Sequence, residues 1–226
     1  KQKSRDLIFA VPVSATSGIT TFVRNSGNLT NNGVELGVNL VPIKSKSLTW
    51  GINLAYTQFK AIVDKLENGV TNIFLGGFVT PNIRLVAGEE FGQIYGSAYV
   101  RDPNKGNKIV VGANGLPFVT TNVQRIGNPN PKYTLGLTNN IAYKSLSISV
   151  LMEYREGGDQ FSRNIGDIQR NGAGIETAKY PRYDANGVLQ KPYLFDAVYA
   201  NGLPNITYLS AQDYFGNNGV YAAAEG

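Results

Sequence analysis

The sequence predicts an all-β fold, specifically an antiparallel transmembrane β-barrel segment. Along two long hairpins, apolar and polar residues alternate with a period of two, which indicates strands with two unlike faces. Each arm alternates for about ten residues, whereas an ordinary globular strand has about 5–6 and a bilayer-crossing strand about 9–11. No apolar run in the 226 residues approaches the length of a transmembrane helix. If this chain crosses a membrane, it must therefore do so with strands, as a β-barrel does.

The first long hairpin occupies residues 31–42 and 47–63, joined by a Lys/Ser turn. Its apolar faces carry Val34, Leu36, Val38 and Leu40 in one arm and Leu48, Trp50, Ile52, Leu54 and Tyr56 in the other. The opposite faces carry Gly33, Glu35, Gly37 and Asn39, and Thr49, Gly51, Asn53, Ala55 and Thr57. Taken alone, this hairpin fits a barrel with a water-facing lumen and equally a soluble β-sandwich with its apolar face inward.

A second hairpin of the same design occupies residues 132–143 and 145–156. Its apolar side carries Tyr133, Leu135, Leu137, Ile141 and Tyr143, then Leu146, Ile148, Val150, Met152 and Tyr154. Asn139 is the polar exception on that side, and Leu151 is the apolar exception on the other. Both hairpins have very short turns, and a long irregular stretch separates them. Short turns at one end and long loops at the other are typical of outer-membrane barrels and favour the barrel over the sandwich.

The predicted organisation is one partial barrel domain over residues 1–226. We predict strands at about 1–9, 31–42, 47–63, 132–143 and 145–156, with extracellular loops at about 10–30, 64–131 and 157–226. Short strand-like pieces interrupt the second loop at 72–75, 94–100 and 108–111. Residues 102–107 predict a turn rather than a calcium loop, because the distal Glu of an EF-hand loop is missing.

The alternation assigns candidate residues to each face of the wall. The predicted lumen-facing or substrate-facing residues are Glu35, Asn39, Asn53, Thr57, Thr138, Asn140, Glu153 and Arg155. The predicted lipid-facing residues are Val34, Leu36, Val38, Leu40, Trp50, Ile52, Leu54, Leu135, Leu137, Ile148 and Val150. In the loops, the candidates for ligand contact are Arg101, Asp102, Tyr193 and Tyr199. For Arg101 and Asp102, a structural ion pair within a hairpin is the competing interpretation.

Many aromatic residues are spread through the last loop, among Gly, Asn and Pro. They are Tyr180, Tyr183, Tyr193, Phe195, Tyr199, Tyr208, Tyr214, Phe215 and Tyr221. Such rings can stack on sugars or pack against a partner, and they can equally pack the loop onto itself.

Composition excludes several function classes. The chain has no Cys and no His, which removes thiol nucleophiles, thiolate metal sites and triad hydrolysis in its usual form. The net charge of +5 comes from scattered bases, so nucleic acid is not expected as a partner. A glycosidase built on Glu89–Glu90 or on Glu153 and Glu156 is the weakest hypothesis, because neighbouring strand residues point oppositely. We therefore predict no enzyme activity, catalytic residue, metal or cofactor.

Several short motifs occur in one order along the chain. The first is the strand opening Asn31-Asn32-Gly33-Val34-Glu35-Leu36, followed by Trp50 with Asn53. The later ones are Gly92-Gln93-Ile94-Tyr95-Gly96, Tyr99-Val100-Arg101-Asp102, Asn114-Gly115-Leu116-Pro117, Ile126-Gly127-Asn128-Pro129-Asn130-Pro131 and Arg155-Glu156-Gly157-Gly158. Together they resemble the motifs of SusC/RagA-type TonB-dependent outer-membrane transporters. The resemblance covers roughly residues 1–164, and the last loop lies outside it.

The resemblance implies import of nutrients, usually glycan fragments or peptides, across the outer membrane of Bacteroidetes-like bacteria. Energy would come from TonB through an amino-terminal part that is missing here, and a SusD-like surface lipoprotein would cap the barrel. The five strands would then be a carboxyl-proximal part of a large plugged barrel of about 22 strands, completed by remaining segments of the same transporter. The plug domain is absent from these residues, and hydrogen bonding to it is the competing interpretation for Glu35 and Arg155. The alternative function is a soluble extracellular β-sandwich carbohydrate-binding module.

Overall fold

The computed structural model describes residues 1–13, 16, 18–178, 186–188 and 193–224. The long strands are β1 (Gln2–Pro12), β2 (Thr21–Lys44), β3 (Leu48–Leu66), β10 (Pro131–Tyr143) and β11 (Leu146–Gly157). The short strands are β4 (Asn72–Gly77), β5 (Asn82–Val86), β6 (Gln93–Gly96), β7 (Arg101–Asp102), β8 (Lys108–Val111), β9 (Gln124–Gly127) and β12 (Ala197–Tyr199). The helices are α1 (Arg163–Arg170), α2 (Ile175–Ala178) and α3 (Ala211–Phe215). The predicted all-β, antiparallel class is confirmed.

The chain divides into two compact units. The first unit comprises Lys1–Gly76, Ile83–Gln93 and Asn128–Gln160. The second comprises Gly77–Asn82, Ile94–Gly127 and Phe161–Gly226. The first unit therefore holds the long strands, and the second holds most of the predicted loops.

The first unit is built on a five-stranded antiparallel sheet in the order β1-β2-β3-β10-β11. Its strands are longer than the sequence predicts. Residues 10–30 are predicted to be a loop, but β1 continues to Pro12 and β2 already begins at Thr21. The sequence does not predict these longer strands, because polar residues such as Asn25, Ser26 and Asn28 interrupt the alternation of apolar and polar residues. The strand forms all the same, because Asn25 pairs with Ile8 of β1 and Asn28 pairs with Lys65 of β3.

The far end of β2 and β3, away from their turn, carries a hydrophobic core on one face of the sheet. Its buried members are Val11, Val63, Leu66, Ile73 and Leu85, with Phe9, Leu29, Val70 and Phe91 packed against them. The segment 88–91 continues the sheet beside β3, since the Val63 amide donates to the Glu89 carbonyl (2.9 Å) and the Phe91 amide donates to the Ala61 carbonyl (2.8 Å). The beginning of the predicted second loop is thus folded onto the strands and not free.

The second unit contains a three-stranded sheet in the order β12-β8-β7, in which β12 runs parallel to β8. Val111, Phe195, Ala197 and Leu209 form its buried core. The predicted loop 157–226 includes α1, α2, α3 and β12, elements that its irregular sequence did not indicate. Tertiary contacts hold these short elements: Tyr214 of α3 packs on Tyr193 and Phe195, the Tyr221 hydroxyl donates to Gln169 of α1 (2.7 Å), and β12 pairs with β8.

The predicted turn at 102–107 is confirmed. Pro103–Lys105 form one 3₁₀ turn, the Asp102 carboxylate accepts a hydrogen bond from the Asn104 amide (2.9 Å), and Gly106 has a φ of +66°. Within the described part of the chain, no group of three or more acidic side chains could hold a metal ion. No helix among the described residues is long and apolar enough to cross a membrane.

Asn128 joins two segments of the first unit, Ile83–Gln93 and Asn128–Gln160. Its side-chain oxygen accepts from Gln93 Nε2 (2.9 Å) and from the Asn130 amide (3.0 Å), and its Nδ2 donates to Glu90 (3.1 Å). Its backbone amide donates to the Asp159 carboxylate (2.7 Å). Gln93 is only 1% exposed, so its amide depends on Asn128 for a partner.

We expect Asn128→Ala to lower the free energy of unfolding by about 2–3 kcal/mol, because it strands the buried Gln93 amide and removes a bond to a charged carboxylate. Thermal unfolding of the intact protein in detergent measures this. Asn32→Ala, an exposed asparagine of β2, is the matched control. Equal unfolding temperatures for the two variants would contradict the role of Asn128.

Candidate functional site

The strand register brings the predicted lumen-facing residues onto one face of the five-stranded sheet. One cross-strand row runs Glu35, Thr57, Thr134 and Arg155. A second row runs Asn39, Asn53 and Thr138, and Asn140 lies opposite Ser149 with a hydrogen bond of 2.7 Å. Residues directly opposite each other in an antiparallel pair have Cβ atoms about 4.5–5.5 Å apart, so each row is a continuous polar strip.

The charged residues of this polar face lie on two strands, Glu35 on β2 and both Glu153 and Arg155 on β11. Glu35 and Arg155 occupy opposite ends of one row, about 14 Å apart at three inter-strand spacings. Glu153 lies one row away, across from Gly136. Within the described residues, none of these three groups forms an ion pair. The face therefore offers a dispersed set of charges and amides that can hydrogen-bond a passing polar solute.

The predicted lipid-facing residues share the opposite face, and nothing within the described residues covers it. None of residues 31–59 or 132–156 is buried. Leu36 is 58% exposed and Ile148 is 51% exposed. Full burial of such a side chain is worth about 1.5–3 kcal/mol, so a face of this size requires an apolar environment. The soluble β-sandwich alternative needs a second sheet over this face, and the described residues provide none.

Aromatic residues border the aliphatic band at both ends. Tyr133 lies between Tyr56 and Tyr154, with ring centroids 5.8 and 6.2 Å apart, and the hydroxyl of Tyr56 donates to Gln58. From Leu146 to Tyr154 a strand advances about 26 Å, or about 20 Å along the membrane normal at a tilt of about 40°. This matches the apolar band of an outer-membrane barrel, which is about 25 Å tall.

Asn139, the polar exception on the apolar face, is hydrogen-bonded within the sheet. The indole Nε1 of Trp50 donates to its side-chain oxygen at 3.3 Å across the β3–β10 pair. A carbonyl dipole that faces a lipid phase without a partner costs several kcal/mol, and this bond removes most of that cost. The other exception, Leu151, lies on the polar face opposite Thr138 and is 70% exposed.

The four predicted loop candidates make structural contacts. The guanidinium of Arg101 donates to the Asn107 carbonyl (3.1 Å), and Asp102 caps the adjacent 3₁₀ turn. Tyr193 stacks on Tyr214 with ring centroids 4.5 Å apart and an interplanar angle of 17°. These contacts stabilise the loop, in line with the packing interpretation of its aromatic residues.

Tyr199 is also held within the loop, by polar contacts of its hydroxyl. That oxygen lies 2.7 Å from Thr207 Oγ1 and accepts a hydrogen bond from the Ile206 amide (3.2 Å). The bond with Thr207 is the main cause that lowers the pKa of Tyr199. Tyr180 and Tyr183 lie outside the described residues.

The second unit contains a cleft of about 390 Å³ that the sequence did not indicate. Phe195, Val198 and Pro204 contribute apolar surface, while Lys105 and Lys108 contribute ammonium groups. Lys108 forms a salt bridge with Asp196, whereas Lys105 forms none within the described residues. The cleft can accommodate a small ligand with an apolar body and an anionic group. No local sequence pattern predicts this cleft, because its walls come from two segments about 90 residues apart in the chain.

No protein-family model matches the chain. In sequence it is similar to "TonB-dependent receptor P3" of Formosa agariphila, with 25% identity over 198 residues. The match covers 78% of this chain and 20% of the relative, so the chain spans about a fifth of that protein's length.

Solved structures of the RagAB peptide importer share the fold. A closed-closed state matches with a TM-score of 0.57 and 21% identity over 76% of this chain and 20% of the other. A RagAB peptide transporter matches with a TM-score of 0.57 and 17% identity over 94% of this chain and 24% of the other. The RagAB peptide importer in an open-open state matches with a TM-score of 0.51 and 20% identity over 69% of this chain and 18% of the other. The resemblance to SusC/RagA-type TonB-dependent transporters that the motifs predicted is thus confirmed.

We expect Tyr193→Ala to destabilise the second unit by about 3 kcal/mol, because it removes a ring stacked on Tyr214 and packed edge-on against Phe215. Limited proteolysis of the intact protein, followed by mass spectrometry of the cut sites, reports the loosening.

Tyr193→Phe is the matched control, since it keeps the ring and loses only the hydroxyl. It should resist proteolysis nearly as well as the wild type. If Tyr193→Ala kept the wild-type digestion pattern and instead lost ligand binding, the ring would be a ligand contact and the packing interpretation would be wrong.

Proposed function

We propose that this chain forms part of the barrel wall and the extracellular loops of a TonB-dependent transporter in a bacterial outer membrane. The transporter imports nutrients, namely glycan fragments or peptides. The observation that carries the proposal is a sheet one layer thick, with an uncovered aliphatic face backed by an uncovered small-polar face. Only a wall between lipid and water gives both faces of such a sheet a favourable environment.

The placement of turns and folded loops supports the same proposal. The β2–β3 and β10–β11 turns are short, whereas the opposite strand ends lead into well-folded segments. In outer-membrane barrels the short turns face the periplasm and the long loops face outward. We therefore assign residues 64–131 and 157–226 to extracellular loops.

In the proposed transporter the polar face lines the lumen. Asn39, Asn53 and Thr138 contribute amide and hydroxyl groups that hydrogen-bond sugar hydroxyls and peptide groups equally well. Glu35 and Arg155 are assigned to the lumen wall near its outer end, where they contact either substrate or the plug. Each of these groups binds or orients, and none supplies covalent chemistry, so the chain acts without catalysis or cofactor.

The partners follow from the same assignment. The aliphatic band contacts outer-membrane lipid, and the remaining strands of the transporter pair with the open edges of the sheet, since unpaired edges in lipid cost several kcal/mol per group. A SusD-like surface lipoprotein caps the extracellular side. TonB acts through a part of the transporter outside these residues. The name of the RagAB structures, a peptide importer, favours peptides as the first substrate class to test.

Leu137 and Thr138 offer a matched test, because they are neighbours in β10 that point to opposite faces. Leu137→Arg places a charge in the middle of the aliphatic band and should destabilise the membrane-inserted state by about 2–4 kcal/mol. Thr138→Arg places the same charge in the lumen and should leave assembly nearly unchanged. Heat-modifiable migration of the native protein extracted from outer membranes measures assembly.

The expected result is a large loss of folded Leu137→Arg protein beside near-normal Thr138→Arg protein. Reduced uptake by Thr138→Arg, with assembly intact, would add support for a lumen position. If Leu137→Arg assembled as well as the wild type, or if Thr138→Arg were the more damaging change, the membrane-wall proposal would be wrong.

A further inference from the structure

The turn end of the sheet, defined by Lys44, Lys46 and Lys144, carries three exposed positive charges and no negative charge. The sequence has no Asp or Glu between Glu35 and Asp64, and none from Lys132 to Met152. No other strand of the sheet reaches these turns, because β1 pairs only with the opposite end of β2. Within the described residues, none of the three ammonium groups forms a salt bridge.

The fold brings the three lysines together. β3 and β10 are hydrogen-bonded neighbours, so the two turns lie side by side, and the backbones of Lys44 and Lys144 are two inter-strand spacings, about 10 Å, apart in the pairing direction. The Lys144 amide donates to the Ser47 carbonyl (2.8 Å), which joins one turn directly to the other. Ser45 stiffens its turn, since its amide donates to the Leu48 carbonyl (2.8 Å) and its hydroxyl accepts from the Leu48 amide (3.0 Å). The cluster is therefore held on a preorganised backbone.

The cluster lies where the aliphatic band ends. Ile43 pairs with Trp50 on the apolar face immediately before the turn, and Tyr143 ends the band on β10. Lys44 pairs with Thr49 on the polar face at the last position of β2, from which its long flexible side chain reaches over the rim of the sheet. The ammonium of Lys144 lies 5.3 Å from the centre of the Tyr143 ring. An aromatic girdle followed by lysines is the order in which side chains meet acyl chains, the interface and then phosphate groups. The arrangement matches the depth profile of a lipid leaflet.

We propose that Lys44, Lys46 and Lys144 form a binding site for the phosphate of an anionic glycerophospholipid in the leaflet that surrounds the short turns. The proposal rests on the proposed function, because it needs the aliphatic band to be embedded in a membrane. Lysine binds phosphate as a point charge with three donors, and three lysines without a carboxylate neutralise a headgroup without self-pairing. The bound lipid fixes the depth at which the wall sits.

The test is native mass spectrometry of the intact protein, reconstituted into nanodiscs with equal amounts of phosphatidylglycerol and phosphatidylcholine. The wild type should retain phosphatidylglycerol preferentially. A basic residue near an anionic surface strengthens binding by about fivefold, so the triple change Lys44→Gln, Lys46→Gln and Lys144→Gln should weaken retention by on the order of 100-fold if the effects add. Raising the salt to 0.5 M should weaken wild-type retention as well, because salt screens these charges.

Two matched variants separate charge at the turns from charge in general. Lys1→Gln, Lys3→Gln and Lys65→Gln together remove the same net charge from exposed lysines elsewhere and should retain phosphatidylglycerol like the wild type. Arginine at all three turn positions keeps the charge and should also retain the lipid. Equal loss in both glutamine triples would overturn the site.

Insertion into vesicles of phosphatidylcholine alone distinguishes this proposal from the proposed function. A protein that inserts there but shows no preference for phosphatidylglycerol overturns the headgroup site and leaves the membrane wall standing. A protein that inserts into no bilayer overturns both.

Discussion

The register between β2, β3, β10 and β11 is the constraint on which the rest of the structure depends. Side chains alternate strictly along a strand, so a slip of one residue between neighbours would exchange the two faces. The observed pairing keeps Val38, Leu54, Leu137 and Met152 in one row and Asn39, Asn53 and Thr138 in the adjacent row on the other side. An aliphatic surface and a polar surface therefore arise from one layer of backbone.

The same face of β2 and β3 changes character along its length. Near the turn it carries Asn39 and Asn53, small and exposed, whereas at the far end it carries the buried Leu66 and Val63. Folded chain covers the apolar end, including Ile73 and Leu85. A single pair of strands thus serves as an open wall at one end and as the base of a packed core at the other.

Most polar and aromatic side chains of the loops that are discussed above make contacts that stabilise the loop structure. Asn128 gathers four hydrogen bonds within the first unit. Tyr193 and Tyr214 stack, and burial raises the pKa of Tyr214 because it disfavours the charged phenolate. The aromatic residues of the last loop, which lie among Gly and Asn in the sequence, therefore contribute to the core of the second unit, which has no long strands. Phe195 belongs to this core and also lines the cleft near Lys105.

The sequence by itself determined the strand class, the two long hairpins and the residues that share each face, because a period of two is a local property that backbone geometry enforces. It missed the start of β2 at Thr21, the helices after Gly157 and the cleft. Strand pairing and aromatic packing join residues far apart in the chain, and only the tertiary structure could decide those features. The same holds for Lys44, Lys46 and Lys144. Their charges are evident from the sequence, but only the β3–β10 pairing places their two turns side by side.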